Sequence, residues 1–389
     1  MLIKNAKIYG QELKDVLIKN GKIEKIGENL QDNEVFDAKE ACLLPSFVDL
    51  CVSLKNDKFS LSNLENLEQD CLKSGVCAVL LRDCMDFDEE SLALFLHDLK
   101  QRKLSIFSSV KALNKQAELR NLATLLNKGA KALELDSASN ANTLRASMQY
   151  ALMKEAFVFV RCFEPDFDDK GVMNDSQTSF ELGLIGMSKV SELSEVAKMR
   201  EVAKSYGTRV VFDLLSLKDS LNLLENELVL VSIHHLFKDD TACAGFNTAA
   251  KILPPLRSKE DQNFLKNALK EGKISFLSSL HSPKSLSLKD LAFDEAAYGI
   301  HSICEFISLC YSFLIKDKFM TWQELCKFTS LNPSEFLGLN SGKIEEGRLA
   351  NLVLFDENAS LKAPKNSLYA NDELKGVVKA HFIKGERVF

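Results

Sequence analysis

The sequence predicts an α/β protein, a (β/α)8 TIM-type barrel carrying a small, discontinuous β-sandwich-like domain. Three observations lead there. Short apolar, β-rich runs alternate with helical patterns through the middle of the chain. Eight such runs can be counted. Strand-and-turn texture occurs at both ends of the 389 residues.

The runs are "FVDLCVSL", "VCAVLLRD", "LSIFSSV", "AKALELD", "AFVFVRCF", "TRVVFDLL", "LVLVSIHHL" and "ISFLSSLH". Near-continuous apolar content over so few residues suits parallel strands covered on both faces. The intervening segments include "SELSEVAKMREVAKSYG" and "KEDQNFLKNALKEG", the second with Gly272 as its stop signal. Repeated strand–helix alternation implies a parallel sheet with helices outside, and a count of eight favours a closed barrel over an open sheet.

At the N-terminus, "DVLIK" and "KIEKIG" flank Asn20-Gly21, a dipeptide that accepts positive φ at both positions of a two-residue hairpin turn. At the other end, "NLVLFD" and "GVVKAHFIKGERVF" read as further strands, the latter turning at Lys384-Gly385. Residues 1–45 and 343–389 are therefore expected to build one small β domain around a barrel spanning 46–342.

Bulk composition narrows the function classes. Hydrophobic residues make up 46% and charged residues 27%, as in ordinary globular proteins, and the net charge is -6. That balance gives no electrostatic reason to expect nucleic acid or an anionic membrane. The N-terminus "MLIKNAKIYG" lacks a signal-peptide pattern, and no apolar run reaches membrane-spanning length. Ten scattered cysteines without a CxxC pair read as reduced, mostly buried thiols, so a cytoplasmic location is expected.

Function in such a barrel sits at the C-terminal ends of the strands. Cys51, Asp83, Arg161, Asp213, His234, His235 and His281 all fall near such ends. In "LLPSFVDLCVSLK", Cys51 and Ser53 lie two apart, on one face of a strand.

Four segments, in order, resemble the amidohydrolase superfamily and, within it, the dihydroorotases that partner aspartate transcarbamoylase. They are "LLPSFVDLCVSL", "KILPPLRSKED", "ISFLSSLHSP" and "GKIEEGRLANLVLFD". Active members hold one or two zinc ions that activate water and polarise a cyclic amide, with an aspartate as general base.

The resemblance also marks departures. The family's His-x-His is Cys51-Val52-Ser53, and serine is a poor replacement for imidazole as a zinc ligand. The arginine that grips the substrate carboxylate becomes Lys55, which keeps the charge and loses the bidentate fork. Asp83 falls at the substrate-binding asparagine. Two further histidine positions become Arg161 and Asp213; an aspartate can bind zinc, and Asp213 could equally pair with Arg161 in place of the metal. Leu280 stands at the general base and cannot accept a proton. Lys284 replaces a substrate-binding histidine.

Taken together, the changes imply a non-catalytic dihydroorotase homologue of pyrimidine biosynthesis. It would hold no cofactor and serve as a structural or regulatory partner of the aspartate transcarbamoylase catalytic subunit, with homo-oligomerisation open. Two alternatives remain. One is an active cyclic amidohydrolase with a rebuilt zinc site, drawing on Cys51, Asp136, Asp213, His234, His235 and His281. The other is a binding module in which Lys55, Arg161 and Lys284 hold an anionic ligand.

Overall fold

The computed structural model describes residues 1–82, 86–168 and 170–389. All eight predicted runs form the strands of one parallel barrel. In order they are Phe47–Val52, Val76–Leu81, Ser105–Lys111, Ala132–Asp136, Phe157–Arg161, Val210–Asp213, Leu228–Ser232 and Phe276–Ser278. Every residue of Val76–Leu81 is buried, because the barrel interior covers one face of the strand and helices cover the other.

Helix boundaries follow local chemistry. Ser60 accepts a hydrogen bond from the Asn63 amide and starts the helix Leu61–Ser74. Gly75 ends that helix at φ 81°, and a Cβ there would come within 2.8 Å of Ile307 and Val353. This reversal sends the chain directly into the second barrel strand.

Closure joins the first and last strands. Val52 bridges His281 in parallel, and the Ser53 amide donates to the His281 carbonyl at 2.7 Å. Deeper in the seam lies the fully buried Asp49. One carboxylate oxygen accepts from the Ser278 hydroxyl at 2.5 Å, and the other accepts from the Ser279 amide (3.0 Å) and hydroxyl (2.5 Å). The Cys51 amide also donates to it, at 3.0 Å. Burial pushes the Asp49 carboxyl upward, and these four donors pull it back.

The chain ends combine in a second, mixed sheet. Cys42–Pro45 runs parallel to Leu2–Ile8 and antiparallel to Leu352–Leu361, so it stitches the N-terminal strands to the C-terminal ones. The Asn20-Gly21 turn has φ of 50° and 74°, as its sequence requires. Ile3, Val16, Leu43, Leu352 and Phe382 fill a core distinct from that of the barrel. His381 ties the two bodies together. Its Nε2 meets the Ser46 hydroxyl at 2.9 Å, and its Nδ1 meets the Leu72 carbonyl at 2.8 Å. Among the described residues, no helix is long and apolar enough to cross a membrane.

Asp49→Ala removes the seam's acceptor, leaving the buried Ser279 hydroxyl and amide without it and the Ser278 hydroxyl with only a 3.5 Å contact to the Cys51 carbonyl. The expected loss is about 3 kcal/mol or more of unfolding free energy, read from urea melts. A loss within ordinary surface-substitution range would mean that strand pairing alone holds the seam.

Candidate functional site at the barrel mouth

Strand register brings the chemistry to one level. Arg161, at the end of the fifth strand, is the register partner of both Asp136 on the fourth and Asp213 on the sixth. Lys111 is likewise in register with Glu134. These side chains line a cavity of about 610 Å³ at the C-terminal strand ends, together with Cys51, Ser53, Arg82, Leu280, His281 and Lys284.

The centre of this cavity is an arginine that follows the second strand. Arg82 Nη2 donates to Asp213 Oδ1 at 2.7 Å, with both side chains largely buried. Its guanidinium carbon lies 4.1 Å from the Phe159 ring centroid, a desolvated cation–π contact. Burial works against the Arg82 charge, but Asp213, Cys51 and Glu134 outweigh it and shift the group upward. Burial pushes the Asp213 carboxyl up, opposed by Arg82 and then Arg161. Arg82 Nε is buried and has no hydrogen-bond partner.

The expected Arg161–Asp213 ion pair does not form. No Arg161 nitrogen comes within 4.0 Å of an Asp213 oxygen, and Arg82 takes that carboxylate from across the barrel. Arg161 acts on Asp213 at longer range. Its own guanidinium has no hydrogen-bond or ion-pair partner among the described residues and faces the cavity.

Other predicted residues divide between the mouth and its surroundings. Cys51 is buried beside the Arg82–Asp213 pair, and burial pushes its thiol up to about 12, with Arg82 opposing. The protein's own groups thus keep it protonated at neutral pH. Ser53 and Asp136 line the cavity, and Lys284 pairs there with Asp57. Lys55 does not reach the cavity. The turn Lys55–Asp57 places it in solvent, and the exposed Asp57 borders the cavity instead. Asp83 lies outside the described residues.

Leu280 lines the cavity with φ of 54°, a left-handed conformation that is uncommon for a bulky residue. His281 follows it. Its Nδ1 accepts the Ser302 and Ile303 amides at 3.3 Å each, which places its proton on Nε2. Burial lowers this imidazole to about 3, so it is neutral in the fold.

His234 and His235 are removed from the candidate ligand set. They sit in the short helix Ile233–Phe237, away from the cavity lining, with both ring nitrogens of each engaged. His234 bonds the Tyr369 hydroxyl and the Ser279 carbonyl. His235 bonds the Ser232 hydroxyl and the Pro254 and Pro255 carbonyls. Burial lowers them to about 3 and about 4.

Two residues at the mouth escaped the sequence reading. Arg82 is the first polar residue after an apolar strand, adjacent to the Asp83 selected from the same segment. Glu134 shares a strand face with Asp136, two residues away, and accepts from the Ser109 hydroxyl. The period of two on that strand carried the signal for Glu134.

The amidohydrolase family model matches residues 190–388. A dihydroorotase-like protein of Helicobacter pylori is 30% identical over 403 aligned residues, covering 100% of this chain and 98% of that protein. The chain belongs to the amidohydrolase family. Within this family it is a homologue of dihydroorotases. The enzyme of that name from Elusimicrobium minutum is 28% identical, covering 99% of this chain and 96% of its own. The same fold occurs in the L-hydantoinase (dihydropyrimidinase) of Arthrobacter aurescens, at a TM-score of 0.85 and 15% identity, covering 100% of this chain and 95% of that one.

Two outcomes are expected from the site's electrostatics. Arg82→Ala leaves Asp213 buried without its partner and costs about 3–5 kcal/mol in urea melts, whereas Arg82→Met with Asp213→Leu recovers most of that. Additive losses would mean the pair is not coupled. His381, lowered to about 4 by burial, joins His234, His235 and His281 as imidazoles that are neutral when folded. Each gains a proton on unfolding below about pH 6.5. Its contribution to stability is therefore complete above that pH and falls towards pH 3–4, by up to about 1.4 kcal/mol per pH unit per histidine. Asp49 and Asp213, pushed up by burial, act in the opposite sense and make the net slope shallower. Urea midpoints that stay flat between pH 7 and pH 5 would contradict this.

Proposed function

We propose that this dihydroorotase homologue has exchanged zinc-dependent hydrolysis for a structural or regulatory role beside the aspartate transcarbamoylase catalytic subunit. The observation that carries the reading is the Arg82–Asp213 pair, with Cys51 and Glu134 around it. A fixed guanidinium occupies the place where anionic or neutral donors would have to converge on a cation. It neutralises Asp213 and repels a second positive charge at close range.

Among the described residues, no three His, Cys, Asp or Glu side chains at the mouth bring their ligand atoms within 4.8 Å of one another. Ser53 offers a hydroxyl where an imidazole would be needed, and Arg161 presents a further cation. Zinc sites are built from thiolate, imidazole and carboxylate. Leu280 contributes neither a base nor a ligand. Its φ of 54° turns an apolar side chain into the cavity lining at the position the resemblance assigns to the general base.

The partner half of the proposal rests on the resemblance to dihydroorotases that assemble with aspartate transcarbamoylase, together with a barrel whose core and closure are intact. A second reading has its own support. A cavity of about 610 Å³, with Arg161 unpaired among the described residues and Lys115 at its rim, suits a small carboxylate held without turnover. The two readings are compatible, since a bound anion could report to a partner.

The test combines an assay with a capture. The protein supplied with zinc is expected to give no dihydroorotate hydrolysis above the uncatalysed rate, and Leu280→Asp alone is expected not to restore it, because Arg82 still holds the centre. The same chain, immobilised, is expected to retain the aspartate transcarbamoylase catalytic subunit of its own organism. Zinc-dependent turnover by the unmodified chain would overturn the loss of catalysis. Absence of complex at micromolar concentrations of both proteins would overturn the partnership.

A further inference from the structure

Outside the barrel mouth, three different metal-binding groups converge where the helix Leu61–Ser74 meets the loop following the last barrel strand. His301 Nε2 lies 3.1 Å from Asp70 Oδ2. One donor atom from each of Asp70, His301 and Cys304 falls within 4.8 Å of the others. Among the described residues, no other group of three His, Cys, Asp or Glu side chains meets this limit. Cys304 is also the exposed member of a cysteine set whose other described members are buried.

We propose that Asp70, His301 and Cys304 bind a zinc ion on the protein surface, separate from the barrel mouth. One carboxylate, one imidazole and one thiolate match zinc's preferences, and three protein ligands leave the fourth tetrahedral position to water. At bond lengths of about 2.0–2.3 Å, ligand atoms on a tetrahedron are about 3.3–3.7 Å apart. The His301–Asp70 spacing is already near this range. No separation in the trio exceeds 4.8 Å, so reaching this range takes at most about 1.5 Å of movement, and the His301 and Cys304 side chains are exposed.

Position gives the site a consequence. The helix Leu61–Ser74 follows the first barrel strand, whereas His301 and Cys304 follow the last one. A shared ion therefore staples the barrel seam from outside, across the strands that Asp49 joins from within. The His301 ring packs edge-on against His281, with centroids 4.9 Å apart, and Tyr298 and Gly299 of the same loop wall the cavity. Metal at the surface fixes the loop that forms one side of the mouth.

Cobalt(II) in place of zinc provides the test, because a thiolate ligand gives a charge-transfer band. The full-length protein is expected to develop this band and to lose it when zinc is added. Cys51→Ala is expected to retain the band, and Cys304→Ser to lack it. His301→Ala is expected to weaken cobalt binding by more than about a hundredfold, beyond what loss of an outer-shell partner typically costs. Without metal, Cys304→Ser and His301→Ala are expected to keep the parent's urea midpoint, which separates loss of binding from loss of folding. The proposal is overturned if the unmodified chain shows no band, or if the band survives Cys304→Ser. A band that instead disappears in Cys51→Ala would place the metal in the barrel mouth and would overturn the reading of that mouth as well.

Discussion

A closed parallel barrel depends on its first and last strands finding each other, because they are far apart in sequence and joined by no hairpin. Here a buried carboxylate makes that connection. Asp49 gathers donors from Ser278 and Ser279 and from the Cys51 amide of its own strand. It thereby sets Cys51 and Ser53 at a fixed height opposite Leu280 and His281. The mouth inherits its geometry from this seam. A fully buried carboxylate is costly unless every oxygen is satisfied, and four donors to one side chain offset that cost.

The same rule governs the mouth above the seam. Arg82 is desolvated by the barrel, stacked on Phe159 and neutralised by Asp213, with Cys51 and Glu134 nearby. Removing either member of such a pair exposes the other to the full cost of burial, whereas replacing both with apolar groups does not. The pair is therefore hard to lose one mutation at a time. On the proposed function, zinc-dependent hydrolysis at this mouth would require Arg82 to leave and a base at Leu280 together.

Much of the fold was legible because buried parallel strands leave a strong mark. Six consecutive apolar residues at Val76–Leu81 and the positive-φ tolerance of Asn20-Gly21 are local properties. Side-chain partners across the barrel are not local. Arg161 and Asp213 are register neighbours, and sequence reading paired them, yet the longer reach of Arg82 takes the carboxylate. Lys55 looked like a substrate clamp until the turn at Asn56, with φ of 57°, carried it outward. His234 and His235 read from the sequence as residues that cap and pack the barrel end, with zinc ligation the weaker alternative, and the structure buries both in Ile233–Phe237. In the structure a tyrosine hydroxyl, a serine hydroxyl and three backbone carbonyls use up their nitrogens.

In the proposed function, a guanidinium–carboxylate pair and not zinc organises the barrel mouth. The most direct test is the metal content of Cys304→Ser purified without chelator from zinc-supplemented cells, since this variant leaves the mouth as the remaining candidate site. The account predicts essentially no zinc. Tightly held zinc that Asp213→Asn then releases would contradict it.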